Sequence, residues 1–347
     1  MIRWLRRDRA PLPHAVPNPP RAPAGAAPES AEHLLRRLEW TVLRRLDGQL
    51  QGDWRTLMRG TGLDLADLRE YQPHDDVRHI DWNVTARMAA PHVRVFTEDR
   101  EMTAWFLLDL SPSVDFGSGT RHKRALSAGF VGVLARLLTR RGNRVGALLY
   151  GAGVERMIPA RASRTHVLQL LHAMQQVGPL DATNKRAASA NPDSAGGTKL
   201  SELLLAAAHA IRRRSTVFVV SDFISAPGWE QPLGQLALRH DVVAVRLTDP
   251  LERELPDLGL ITLRDAETGE QLLVDTHDAR FRQRFAALAA EREAALRAAL
   301  TRAGVDTLEL CTDDDLADAI VRFADLRRQR TRLAAGGGMP AHLRKSA

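Results

Sequence analysis

The sequence predicts an α/β protein, a doubly wound and mostly parallel sheet with a small β-containing module before it. Three observations carry that expectation. Apolar runs of strand length at Thr103 to Leu110, Val145 to Tyr150, Thr216 to Ser221 and Val242 to Leu247 alternate with segments whose apolar residues recur every three or four positions. Strands separated by helices are joined by crossovers, which make neighbouring strands parallel and cover both faces of the sheet. The 347 residues, 44% hydrophobic and 26% charged, have an ordinary globular composition and enough length for a large core.

Taken in order, residues 1–30 hold seven prolines and read as a solvated tail. Leu34, Leu35, Leu38, Val42 and Leu46 fall on one stripe and predict an amphipathic helix from Ala31. From 47 to 101, Gly48, Gly52, Gly60, Gly62, Pro73 and Pro91 punctuate short segments, and His92 to Thr97 alternates as a strand does. Helix and module together make up residues 31–101, and the α/β domain is expected over 102–311. Within it, Leu126, Phe130, Val133 and Leu137 mark a helix from Lys123 to Thr139, and Gly151-Ala152-Gly153 turns the next strand into a hairpin partner at 154–158. Helices are predicted at 166–177, 199–214, about 228–239 and 279–303, the last with Phe281, Phe285, Leu288 and Leu296 as core residues. The polar stretch 178–197 is long for a compact domain and is expected to flank the site as a lid. Residues 312–347 close the chain with a helix started by Asp313, Asp314 and Asp315, whose charges complement its dipole, and a basic tail.

The formal charge of +7 suggests a polyanion partner until its distribution is read. Residues 1–30 carry +3 and residues 327–347 carry +6, which leaves −2 on the 296 residues between them. With 5% aromatic residues as well, specific nucleic-acid binding is disfavoured. The single cysteine, Cys311, excludes an internal disulfide framework and a thiolate zinc cluster. Prolines follow the basic start where a signal peptide needs an apolar run, and no stretch approaches the length of a spanning helix, so a cytoplasmic protein without a transmembrane segment is expected.

In doubly wound sheets, chemistry gathers where strands end at their carboxyl side. Directly after the first strand stands Asp109-Leu110-Ser111-Pro112-Ser113. Gly196-Gly197-Thr198 opens a helix, and Asp222 follows the strand at 216–221. Two carboxylates and three hydroxyls form a hard oxygen set that suits Mg²⁺, with Mn²⁺ or Ca²⁺ as alternatives, and does not suit zinc. Each residue also has a bland role open to it, in turn hydrogen bonds, a helix cap or a strand end. Asp115 just beyond the motif reads as a loop residue. No His, Lys or spare Glu is evident beside the five, which leaves a metal-assisted hydrolase without a general base, and no catalytic residue is assigned.

At these positions the chain resembles the von Willebrand factor type A fold with its metal-ion-dependent adhesion site, written D-x-S-x-S, then T, then D. The resemblance implies metal binding by Asp109, Ser111, Ser113, Thr198 and Asp222. A second resemblance lies in the run from Asp67 to Trp82, closed by Ala86-Arg87. It is similar to the signature of the bacterial domain-of-unknown-function family 58, which places this segment before a von Willebrand A-like domain; His74 departs from the glycine usual there. What this family resemblance implies is a metal-dependent protein-interaction module, partnered by a MoxR-type AAA+ ATPase in a chaperone-like maturation or assembly system. The remaining alternatives are a metal-assisted hydrolase and a nucleic-acid-associated protein of the von Willebrand A type. From the residues themselves, Arg69, Arg78 and Arg87 interleaved with Glu70, Asp75, Asp76 and Asp81 predict a salt-bridge network in this segment.

Overall fold

A computed structural model describes residues 30–49, 64–72, 75, 77, 80–97, 102–119, 121–177, 198–264 and 271–334. The proline-rich tail, residues 335–347, the stretch 178–197, and His74, Asp76, Arg78 and His79 lie outside the described residues, whereas the basic end from 327, expected as a solvated tail, continues a helix to Ala334 and buries Arg327. The chain opens with helix α1 (Ala31–Leu38), a π-helical turn (Glu39–Leu43) and α2 (Arg44–Gln49), on the stripe predicted for one helix. Strand β1 (Asp64–Glu70) pairs antiparallel with β2 (His92–Thr97), and α3 (Trp82–Met88) lies between them in sequence. Asp81 starts α3 by accepting from the amides of Asn83 and Val84. Of the predicted salt-bridge network, the Arg69 guanidinium grips the Asp75 carboxylate in two bonds of 2.9 and 2.7 Å.

The rest is built around one six-stranded sheet. Its strands are β3 (Thr103–Asp109), β4 (Arg144–Tyr150), β5 (Val154–Arg161), β6 (Thr216–Ser221), β7 (Asp241–Thr248) and β10 (Asp306–Cys311), in the order β10-β7-β6-β3-β4-β5. All neighbours are parallel except β5, which folds back against β4. The expected doubly wound, mostly parallel α/β fold is therefore the observed one. The helices are α4 (Lys123–Arg140), α5 (Arg164–Gln176), α6 (Leu200–Ala210), α7 (Glu230–Arg239), α8 (Ala279–Arg302) and α9 (Leu316–Ala334). A separate hairpin of β8 (Leu260–Arg264) and β9 (Gln271–Asp275) precedes α8.

Alternation along β3 divides the core. Ala104, Phe106 and Leu108 turn to one face, where α1, α4, α5 and α9 pack. Trp105 and Leu107 turn to the other, under α6, α7 and the end of α8. Because both faces are covered, the central strands are continuously apolar, which is why they are legible as runs. Phe106 stacks on Phe218 at 5.3 Å and meets the edge of Phe130 at 6.5 Å on the first face. At the amino ends of the strands, Arg327 of α9, 3% exposed, holds Asp241 at 2.6 Å and Asp306 at 3.1 Å, so an ion-pair cluster pins α9 to β7 and β10.

Several boundaries move for physical reasons. The helix expected to reach Arg214 stops at Ala210, because Ile211 turns out of the helix and is buried in the second face of the core. Strand β5 runs on to Arg161. In α8, Phe285 is fully buried, whereas Phe281 and Leu288 are half-buried.

Candidate metal centre

The apolar run of β3 ends at its carboxyl side on Asp109, in the middle of the sheet, with β4 on one flank and β6 on the other. Asp109 is fully buried, and its two carboxylate oxygens are held separately. One accepts the amide of Ser111 at 3.0 Å, and the other accepts the hydroxyl of Ser221, at the end of β6, at 2.7 Å. The chain then enters a 3₁₀ turn (Pro112–Asp115) that brings the hydroxyls of Ser111 and Ser113 within 3.1 Å of each other. Asp115 points away from this group into an ion pair with Arg124, at 2.7 and 3.0 Å, in line with the loop role expected for it.

Asp222 follows β6 directly and is 2% exposed. One of its oxygens accepts the amide of Ile224, which fixes the carboxylate against the turn. Phe223, between them, sits in the left-handed region at φ 57°, a conformation costing about 1 kcal/mol for a residue with a Cβ. That turn lets the Phe223 amide donate to the Ser221 hydroxyl at 2.9 Å. Thr198, just ahead of α6, is buried, and its carbonyl accepts from the Ser225 hydroxyl and the Ala226 amide, both at 2.8 Å. The structure thus gathers Asp109, Ser111, Ser113 and Asp222 at the adjacent ends of β3 and β6 and ties the backbone of Thr198 to the loop that follows Asp222. Gly196 and Gly197 lie outside the described residues.

Two further groups correct the expectation that no lysine or spare glutamate adjoins the five. Lys123, the first residue of α4, is fully buried, and its ammonium donates to Asp222 at 2.8 Å and to Glu252 at 2.6 Å. Glu252 lies in a 3₁₀ turn (Pro250–Glu252) after β7 and also accepts the amide of Asp249 at 3.2 Å. Asp249 in turn accepts the Ser118 amide and the Thr312 hydroxyl, so the loops after β3, β7 and β10 meet on one carboxylate. No local spacing announces these partners. Only the strand order β7-β6-β3 brings Glu252 and Lys123 to Asp222.

The electrostatics follow from burial. Asp109 is pushed up to about 6, first by loss of water and then by the neighbouring charge of Asp222, against which its hydrogen bonds to Ser111 and Ser221 work. Burial pushes the Glu252 carboxyl up as well, and Lys123 offsets only part of that. For Lys123 burial acts downward, but the two carboxylates outweigh it and hold the ammonium charged. Three carboxyl groups, those of Asp109, Asp222 and Glu252, gather around one ammonium, so acidic groups are in excess. Hard oxygen donors with acidic groups in excess fit a divalent cation of the Mg²⁺ type. Among the described residues no group of three or more His, Cys, Asp or Glu side chains is placed to hold a metal by itself. The candidate set differs in kind, since three of its five members are hydroxyls.

The family model described as a protein of unknown function, DUF58, matches residues 67–295. The chain belongs to the DUF58 family. Its relatives include the uncharacterized proteins Rv1480 of Mycobacterium tuberculosis and Mb1516 of Mycobacterium bovis, each 36% identical over 297 residues, covering 85% of this DUF58 chain and 89% of the relative. Among solved structures, BatB from Bacteroides thetaiotaomicron is similar at 13% identity with a TM-score of 0.40, covering 65% of this chain and 98% of that one. A von Willebrand factor type A protein from Catenulispora acidiphila is similar at 10% identity and a TM-score of 0.33, covering 67% and 43%. The fold assignment of the DUF58 chain rests on its own strand order and direction. Among its described residues, no helix is long and apolar enough to cross a membrane.

Proposed function

We propose that this DUF58 protein is a metal-dependent protein-interaction module. The observation that carries the reading is the convergence of Asp109, Ser111, Ser113 and Asp222 at two adjacent strand ends, in a cluster whose excess of carboxyl groups over its one ammonium a divalent cation would balance. Asp109, Ser111, Ser113, Thr198 and Asp222 would hold the ion, Mg²⁺ first and Mn²⁺ or Ca²⁺ as alternatives. Bound there, the ion would supply an open coordination position for an acidic side chain of a partner. The protein's own residues do the rest. Ser221 and the Ser111 amide fix the Asp109 carboxylate, Lys123 fixes Asp222, and the strained turn at Phe223 holds that carboxylate at the strand end. A cavity of about 370 Å³ bordered by Asp222, Trp229, Arg246, Glu252 and α8 adjoins the cluster and gives a partner side chain room to approach.

The same geometry weighs against hydrolysis. Lys123 and Glu252 are the groups nearest to a general base, but each is committed to the other, and Lys123 is sealed from solvent. The proposed partner is a MoxR-type AAA+ ATPase, taken from the family resemblance, and the proposed setting is a cytoplasmic, chaperone-like assembly system. The test is a pull-down of the ATPase by the full chain in Mg²⁺, in chelator, and with Asp109→Ala. Capture that requires Mg²⁺ and is lost in the variant supports the proposal. Capture unchanged in chelator overturns it.

A further inference from the structure

At the opposite side of the sheet from α8, β5 is the terminal strand, and among the described residues it pairs only with β4 and has no strand along its outer edge. Helix α5 runs next to it, and between them lies a groove of about 430 Å³. Arg156 and Arg161 stand along the strand side, and Gln169, His172 and Gln176 along the helix side. No carboxylate lines this groove among the described residues. Among the described residues the polar partner of Arg156 is the Gln176 side-chain oxygen at 3.4 Å, and Arg161 is exposed with no ion pair. Nearby Glu155 is turned away to the hairpin, where it accepts the Ala152 amide.

We propose that this groove takes an extended acidic segment of a partner protein, added as a strand to β5. Three features select that ligand. An edge strand beside a helix supplies main-chain donors and acceptors on one wall, except at Pro159, which has no N–H, and side chains on the other, the arrangement by which sheets capture extended peptides. Arg156 pairs with Leu149 and Arg161 with Val145, so a bulge in β5 puts both guanidinium groups on one face, four β4 residues and roughly 13 Å apart at strand rise, a span that a single phosphate or carboxylate does not cover. The unbalanced positive charge selects acids at matching spacing. This surface is separate from the candidate metal centre and does not require it.

The experiment titrates the full chain into a labelled peptide of about ten residues, alternating Thr and Val with glutamates four residues apart so that both face the arginines, and follows fluorescence anisotropy. Saturable binding is expected that persists in chelator, weakens about tenfold or more in Arg156→Glu/Arg161→Glu, and is lost when alternate peptide amides are N-methylated. Both arginines are exposed, and circular dichroism verifies that the double variant folds. Equal binding by the N-methylated peptide, an unaffected double variant, or competition by inorganic phosphate would overturn the proposal. So would a double variant that self-associates with no peptide bound by the parent, since the arginines then serve only to keep the edge from pairing with another copy.

Discussion

Asp109→Asn isolates the electrostatic cost built into the candidate centre. The carboxyl is raised from its ordinary 3.8 to about 6, so the folded protein holds that proton more tightly than the unfolded chain does. The stabilisation this provides is complete below the unfolded value, declines as pH rises through about 6, and is gone at neutral pH. Holding the proton up to about pH 6 instead of 3.8 corresponds to about 3 kcal/mol. Asparagine keeps the shape: its carbonyl oxygen can accept the Ser111 amide and its amide can donate to the Ser221 hydroxyl, while the charge facing Asp222 is removed. In chelator at pH 7.5 the variant is therefore expected to be more stable than the parent by about 2–3 kcal/mol in urea unfolding, with the difference vanishing near pH 4. In millimolar Mg²⁺ the order is expected to reverse or close, because only the parent offers two carboxylates to the ion and gains from its binding. A variant less stable than the parent in chelator, or one whose advantage is the same with and without Mg²⁺, would refute the reasoning.

Two other substitutions follow from the buried charges. Lys123→Met leaves Asp222 and Glu252 facing each other without a cation, and a loss of about 3–5 kcal/mol in chemical unfolding is expected, partly restored by adding Glu252→Gln; no rescue would mean that Lys123 acts through packing alone. Arg327→Met strands Asp241 and Asp306 beneath α9, and a loss of about 3 kcal/mol is expected in thermal unfolding at pH 7, partly restored by adding Asp306→Asn. No restoration would assign the effect to packing of the arginine stem.

What the sequence revealed and what it concealed have separate physical origins. Strands buried on both faces must be apolar throughout, so β3, β4, β6 and β7 stand out as runs, and the residue after each run is necessarily at a strand end. That is why Asp109 and Asp222 could be placed before any coordinates. Lys123 opens a helix and Glu252 sits in a turn, positions where a charged residue is ordinary, and their meeting depends on strand order, which no local pattern encodes. Strand β10 was concealed because it carries Asp306 and Glu309 and reads as a polar loop, although Thr307 to Cys311 alternates. Helix α3 was concealed because all seven of its residues escape full burial, leaving no apolar stripe to detect.

The path from β7 to β10 is longer than the sheet requires. Joining two adjacent parallel strands takes one crossover helix, and α8 fills that part. The β8–β9 hairpin ahead of it pairs with no strand of the main sheet. Lengthening or shortening this excursion would leave both the register of β7 with β10 and the carboxylate hub at Asp249 in place. It is thus the position in the domain where evolution can change chain length at little structural cost, and where an inserted reporter would disturb the buried charges least.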